Sequence, residues 1–132
     1  VDISDYTTKD IGNLGESLAG RYLKGIGFNI LERNSVRKTG EIDIIARHRD
    51  TLHFVEVKTL LCKEFPEEGG ESRRNPAENI HAHKLKKIQR TAEWYIAEHG
   101  WKGNVQIDAV LVWLRERDAL AKVRYLPQII DS

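Results

Sequence analysis

Cys62 is the only cysteine in 132 residues, so no internal disulfide can form and no cysteine framework for zinc exists. A lone thiol fits a reducing compartment. Three prolines and ten glycines are too few for a low-complexity linker or a collagen-like chain. The longest uninterrupted apolar run is Ala109-Val110-Leu111-Val112-Trp113-Leu114, far short of the ~20 residues a membrane-spanning helix needs, so no membrane partner is expected. Methionine is absent, and the acidic start Val1-Asp2-Ile3-Ser4-Asp5 shows neither the basic nor the apolar region of a secretory signal. The expected location is cytoplasmic. An excess of one charge is also missing: 21 Lys and Arg stand against 20 Asp and Glu, a net +1, which excludes no class of partner.

What is present is an ordinary globular composition, 40% hydrophobic and 31% charged. A chain of this length reads as one domain, 1–132, able to close a core without disulfides or a structural metal. Charge is sorted along the chain. Residues 81–90 carry Lys84, Lys86, Lys87 and Arg90 with no acid, whereas 64–78 carry Glu64, Glu67, Glu68, Glu71 and Glu78 against Arg73 and Arg74. A local basic stripe binds phosphate even in a neutral protein; a solvated helix face is the simpler reading of the stripe taken alone.

Residues 1–9 lack periodicity and read as a loose arm. Ile11, Leu14, Leu18, Ala19, Tyr22, Leu23 and Ile26 keep helical spacing, with Asp10 as the expected N-cap and Gly25 and Gly27 as the stop. Gly12, Gly15 and Gly20 weaken this helix, which close packing or a bound group explains. Glu16 falls about 20° from Leu23 around the helix, at the edge of the apolar arc. Residues 28–33 read as a strand, 34–40 as a polar connection carrying Arg37 and Lys38, and 41–47 and 52–59 as two alternating strands. Residues 60–75 read as a long flexible loop. Asn75-Pro76-Ala77-Glu78 has the pattern of a helix start, and Leu85, Ile88, Ala92, Tyr95 and Ile96 carry that helix to His99-Gly100. Residues 105–114 read as a strand buried on both faces, and 122–126 as a further strand. The order is that of an α/β fold, helix–three strands–helix–strand around a mixed β-sheet.

The informative segment is the hairpin 41–59. A four-residue connection pairs Arg47 with Leu52, and counting back sets Ile44 against Val55 and Ile42 against Val57 on one face. On the other face it sets Ile45 against Phe54 and Asp43 against Glu56. A slip by one residue scrambles both apolar faces. Opposed Cβ atoms lie ~4.5–5.5 Å apart, so two carboxylates there repel and are costly to bury. A cation between them relieves this. Lys58, on the same face as Glu56 and ~7 Å along the strand, neutralises one carboxylate but not both. A hard divalent cation fits the gap: Mg²⁺ binds through one or two carboxylates, keeps waters and completes its shell with phosphate oxygens. Glu16 can reach the same place from the first helix. The alternatives are ordinary ones. Glu56–Lys58 can be a surface pair worth ~0–1 kcal/mol, and Asp43 can pair with Arg37 or Lys38.

Asp43 followed by Glu56-Val57-Lys58 resembles the PD-(D/E)XK nuclease signature, an acid on one strand facing E-x-K on the next. The element order resembles the restriction-endonuclease-like core of that superfamily. More closely, the chain resembles the YraN-type family of small bacterial proteins, similar to Holliday-junction resolvases. The matching stretches include Gly15-Glu16, Arg33-Asn34, Gly40-Glu41-Ile42-Asp43, Phe54-Val55-Glu56-Val57-Lys58-Thr59, Lys84, Ala92 and Asp108. The resemblance implies a Mg²⁺- or Mn²⁺-dependent endonuclease cutting DNA phosphodiester bonds, with a taste for branched structures. It implies Asp43, Glu56 and the Val57 carbonyl as metal ligands, Lys58 as catalytic lysine and Glu16 as the helix acid. The chain departs from the family pattern at Leu60 and Gln106, where basic residues are usual, and both changes remove phosphate contacts. The alternative function is a non-catalytic nucleic-acid-binding or protein-interaction module on the same fold.

Arg37, Lys38, Lys84, Lys87 and Arg90 are the expected phosphate-binding residues. A homodimer is expected if both strands of a duplex are cut, with Trp94 and the tail Leu126-Pro127-Gln128-Ile129-Ile130 as contact surfaces. His81 and His83, at i,i+2 on a helix, point apart and read as solvated. Asp108, in an apolar strand, must be hydrogen-bonded if buried and reads as structural.

Overall fold

The computed structural model describes residues 3–66 and 82–130. The first helix, α1, is Thr8–Gly25. Its N-cap is Thr7 rather than Asp10: the Asp10 amide donates to Thr7 Oγ1 at 3.1 Å, and the Thr7 amide to Asp10 Oδ2 at 2.9 Å. This reciprocal capping box places Asp10 in the first turn, so the helix starts inside the expected arm, whose Ile3 is also buried. At the other end Gly27, with φ +101°, takes a conformation that L side chains avoid.

Five strands follow: β1 (Asn29–Arg37), β2 (Gly40–His48), β3 (Thr51–Cys62), then β4 (Asn104–Arg115) and β5 (Ala121–Leu126), with α2 (Ala82–His99) between β3 and β4. They form one mixed sheet in the order β1-β2-β3-β4-β5. Only the β3–β4 pair is parallel; the others are antiparallel. A parallel pair needs a crossover, and α2 supplies it. This is the expected α/β arrangement of a restriction-endonuclease-like core. No described helix is long and apolar enough to cross a membrane.

Two expected boundaries move. β1 runs to Arg37 and turns into β2 through Lys38-Thr39 alone, with Arg37 opposite Gly40. The polar stretch from Asn34 is therefore strand, because pairing with β2 supplies what side-chain pattern does not. β3 runs to Cys62, so Leu60 and Leu61, expected in the loop, pair with Trp113 and Leu114 of β4. The helix start at Asn75-Pro76 and the loop from residue 67 onward lie outside the described residues.

Each face of the sheet carries one helix. Ala19 and Leu23 of α1 pack on Ile44, Ala46, Val55, Val110, Val112 and Leu114. Ala92 and Tyr95 of α2 pack on Ile42, Ile45, Leu52 and Phe54. Ile42 departs from the expected alternation, which put it on one face with Ile44: Ile44 packs under α1 and Ile42 under α2. Gly15 lets α1 approach closely: a Cβ there would lie 1.8 Å from Thr59 Oγ1. No such contact surrounds Gly12 or Gly20.

Asp108 is fully buried and structural. Its carboxylate accepts from His53 Nδ1 (2.6 Å), the Tyr125 hydroxyl (2.7 Å), the Gln128 amide (2.8 Å) and Gln106 Nε2 (2.9 Å). Burial alone would raise its pKa, but these donors favour the anion and hold it below the usual carboxylate range. Gln106 is thereby occupied as an internal donor. The Gln128 amide, with the Ile129 amide on the Ile107 carbonyl at 2.8 Å, ties the tail expected as a contact surface back onto β4.

Candidate functional site

β2 and β3 pair from His48–Thr51 to Ile44–Val55, in the register the hydrophobic pattern predicts. Beyond that rung the two strands part. The Asp43 carboxylate then takes over: its Oδ2 accepts the Val57 amide at 2.8 Å. This bond gives the Val57 amide the partner that the strand no longer offers. It also fixes one carboxylate in the fork between two strands.

Glu56 enters the same fork from β3. Its side chain is 5% exposed, and its Oε1 is ion-paired with the Lys84 ammonium of α2. Glu16 arrives from α1, positioned by the Gly15–Thr59 contact. Its Oε2 lies 3.9 Å from the Arg33 guanidinium, which also donates to Ser17 Oγ at 3.3 Å. Asn34, at φ 52°, sits between Arg33 and Ser35, whose β2 partners are Ile44 and Ile42. With its amide nitrogen turned toward the acids, Asn34 donates to Glu16 Oε2 at 2.9 Å and to Glu41 Oε1 at 3.2 Å.

Too little positive charge surrounds these acids, and two of them, Glu16 and Glu56, titrate abnormally. Burial first, and then the Asp43 carboxylate, push Glu16 up to about 7. The same two causes, in the same order, push Glu56 up to about 7 against the pull of Lys84. Burial disfavours the charge on Lys84, but the Glu56 carboxylate outweighs it and holds the ammonium above its ordinary pKa. Asp43 is the shared neighbour that couples the two glutamates.

Asp43 and Glu56 open onto a hollow of about 350 Å³ walled by Gly40, Glu41, His83, Lys84, Lys87 and Ile88. Of the expected residues, Glu16, Asp43, Glu56 and Val57 therefore come together, and Lys84 and Lys87 join them from α2. Lys58 stands on the Glu56 side of β3, half-buried and two residues further along, outside the lining of this hollow. Neither ordinary pairing holds: Glu56 pairs with Lys84 rather than Lys58, and Asp43 takes an amide rather than Arg37 or Lys38. Arg37 instead makes a two-pronged ion pair with Glu98, at 3.1 and 3.0 Å. Arg90 faces a neighbouring hollow with Trp94. His83, expected to be solvated, lines the carboxylate hollow; His81 lies outside the described residues.

Sequence reasoning missed Asn34 as the partner of Glu16 and Lys84 as the partner of Glu56. Asn34 had a signal in the polar break after Arg33, whereas the Lys84–Glu56 pair joins two elements with no local pattern between them. The donor set fits a hard divalent cation: carboxylate oxygens in an under-neutralised fork, beside a backbone segment held by one of them. Among the described residues no three Asp, Glu, His or Cys side chains form a closed metal-binding group. Mg²⁺ suits such a partial shell because it retains water and takes substrate oxygens.

A family model described as uncharacterised protein family UPF0102 matches residues 15–112, a span holding Glu16, Asp43, Glu56, Lys58 and Lys84. The chain belongs to the UPF0102 family. This is the YraN-type family that the sequence resembles. A UPF0102 protein of Syntrophotalea carbinolica is 36% identical over 126 residues, 96% of this chain and 95% of that one. A UPF0102 protein of Caldanaerobacter subterraneus is 37% identical over 120 residues, covering 89% and 92%. One from Clostridium botulinum strain 657 is 44% identical over 91 residues, covering 69% and 68%.

Proposed function

We propose that this UPF0102 chain is a metal-dependent endonuclease of PD-(D/E)XK type that hydrolyses DNA phosphodiester bonds. The observation that carries the reading is the strand fork, where Asp43 and Glu56 meet as β2 leaves β3 and Glu16 joins them from α1. Asp43, Glu56 and the Val57 carbonyl would hold Mg²⁺ or Mn²⁺, which would supply charge stabilisation at the phosphoryl oxygens and a more acidic water. Asp43 also holds the Val57 backbone, so the strand end stays in register with the carboxylates. Glu16, titrating at about 7, takes or returns a proton near neutral pH, where such a group is most effective. Lys58, beyond Glu56 on the same side of β3, is the ammonium for a non-bridging phosphate oxygen. Lys84 and Lys87 form the wall past which a phosphate backbone runs, with Lys38 on the adjoining hairpin tip.

One observation favours the alternative of a non-catalytic binding module. The Lys84 ammonium is ion-paired with Glu56, so a side chain of this chain already offsets the charge of one of the two proposed carboxylate ligands. Cleavage of linear, flapped and four-way DNA with Mg²⁺ or Mn²⁺ separates the two readings. Metal-dependent cleavage by the parent and none by Asp43→Asn supports the nuclease. DNA binding without cleavage under any metal supports the module.

A further inference from the structure

Next to the carboxylate hollow, α2 carries a second feature that the reaction does not use. The tip of the β1–β2 hairpin docks on the helix. Thr91 Oγ1 donates to the Lys87 carbonyl at 2.9 Å, so its single proton is committed and the Thr39 hydroxyl is the donor across the 2.8 Å contact to Thr91. The tip separates two hollows. On one side Gly40 and Lys87 wall the carboxylates. On the other, Thr39, Arg90, Glu93, Trp94 and Ala97 line a depression of about 330 Å³, within the ~300–1,000 Å³ of small-molecule sites. Trp94 is 57% exposed, although an indole is among the side chains most stabilised by burial.

We propose that this depression holds an unpaired base of a DNA strand whose phosphates cross the carboxylate fork, with the Trp94 ring as its stacking platform. The inference rests on the nuclease reading and names the substrate class of that site. Lys87, Arg90 and Trp94 are spaced i, i+3 and i+7, so they form one stripe on α2. Lys87 and Trp94 are ~10 Å apart along the axis. Roughly three stacked base steps of ~3.4 Å cover that distance, and a strand out of the duplex covers it in fewer. Arg90, one turn before Trp94, supplies a guanidinium for the neighbouring phosphate or for the face of the base. Glu93 offers an acceptor for an exocyclic amine, and Ala97 leaves the floor low. A protein interface is the weaker fit, because the cores of such interfaces are depleted in Lys, Glu and Asp and here Glu93 flanks the ring. A base inside a duplex cannot present its face to the ring, so the site selects flaps, forks and junction strands over continuous duplex.

The test is fluorescence anisotropy of end-labelled flapped DNA and of blunt duplex of equal length, in chelator so that no strand is cut. The proteins are the parent, Trp94→Ala and Trp94→Tyr, each checked by its melting curve. Trp94→Ala is expected to weaken flap binding about tenfold and to leave duplex binding within about twofold, with Trp94→Tyr restoring most of the loss. Equal losses on both DNAs, or no loss on either, overturn the inference while leaving Asp43-dependent cleavage intact. A parent that sediments as a dimer without DNA and a Trp94→Ala monomer also overturn it, since the ring then covers a second copy. A parent that binds neither DNA in chelator overturns this inference, whereas the nuclease reading is decided separately by cleavage with Mg²⁺ or Mn²⁺.

Discussion

Asp43 serves two purposes that pull in opposite directions. Its carboxylate holds the Val57 amide at 2.8 Å, which stabilises the fork, and its charge adds to burial in raising Glu16 and Glu56 to about 7, which destabilises it. Asp43→Asn keeps an acceptor for the amide and removes the charge. The expected outcome in chelator is a melting temperature at or above that of the parent, together with a fall in both glutamate pKa values, read by NMR titration of the carboxyl carbons. A clear drop in melting temperature would contradict the account. Lys84 is the opposite case. Glu56 is nearly buried while the Lys84 side chain is 55% exposed, so the pair is worth less than a buried one; Lys84→Ala is expected to cost about 1–2 kcal/mol in chelator. Added Mn²⁺ should then raise the melting temperature of Lys84→Ala more than that of the parent, because the ammonium no longer competes for Glu56. A smaller rise would show that Lys84 does not occupy the cation position.

Among the elements, α1 and β2 decide whether the acids meet. α1 reaches β3 only because Gly15 has no side chain to strike Thr59. Gly15→Ala is expected to cost about 1–3 kcal/mol by overpacking, visible as a lower denaturant midpoint with an unchanged slope. It should also slow metal-dependent cleavage, since Glu16 moves with the helix. An unchanged midpoint would mean that α1 shifts without strain. The apolar periodicity of α1, the hairpin register and the doubly buried β4 were legible because burial writes them into the sequence as spacing. The length of β1 was not, because it is the edge strand and most of its side chains, including Arg33, Asn34 and Val36, are exposed. Its extension depends on pairing with β2. Ile42 left the expected face at the point where β2 and β3 stop pairing, and the alternation rule holds only while two strands remain paired. Asn34 and Lys84 meet their acids across elements, a juxtaposition that the fold sets and local sequence does not.

For the molecule as a whole, the carboxylates set the response to pH. Glu16 and Glu56 move from 4.5 to about 7 on folding, so the folded state binds more protons than the unfolded chain between those values. Their contribution to stability is complete below 4.5 and is lost as pH rises through about 7. Asp108, lowered from 3.8 by its four donors, works in the other sense and loses its contribution as pH falls. In chelator, the melting temperature of the parent relative to Glu16→Gln is therefore expected to fall as pH rises from 4.5 to about 7, and saturating Mg²⁺ should abolish the fall. A difference that is flat across this range would contradict the pairing of the acids. The central claim is that the fork binds a divalent cation through Asp43 and Glu56, and calorimetric titration of Mn²⁺ tests it most directly. The account predicts one equivalent bound by the parent, none by Asp43→Asn, and retained binding with lost cleavage in Lys58→Ala, because lysine is not a ligand. A parent that binds no Mn²⁺ even with DNA present, or an Asp43→Asn protein that binds it equally well, would contradict the account.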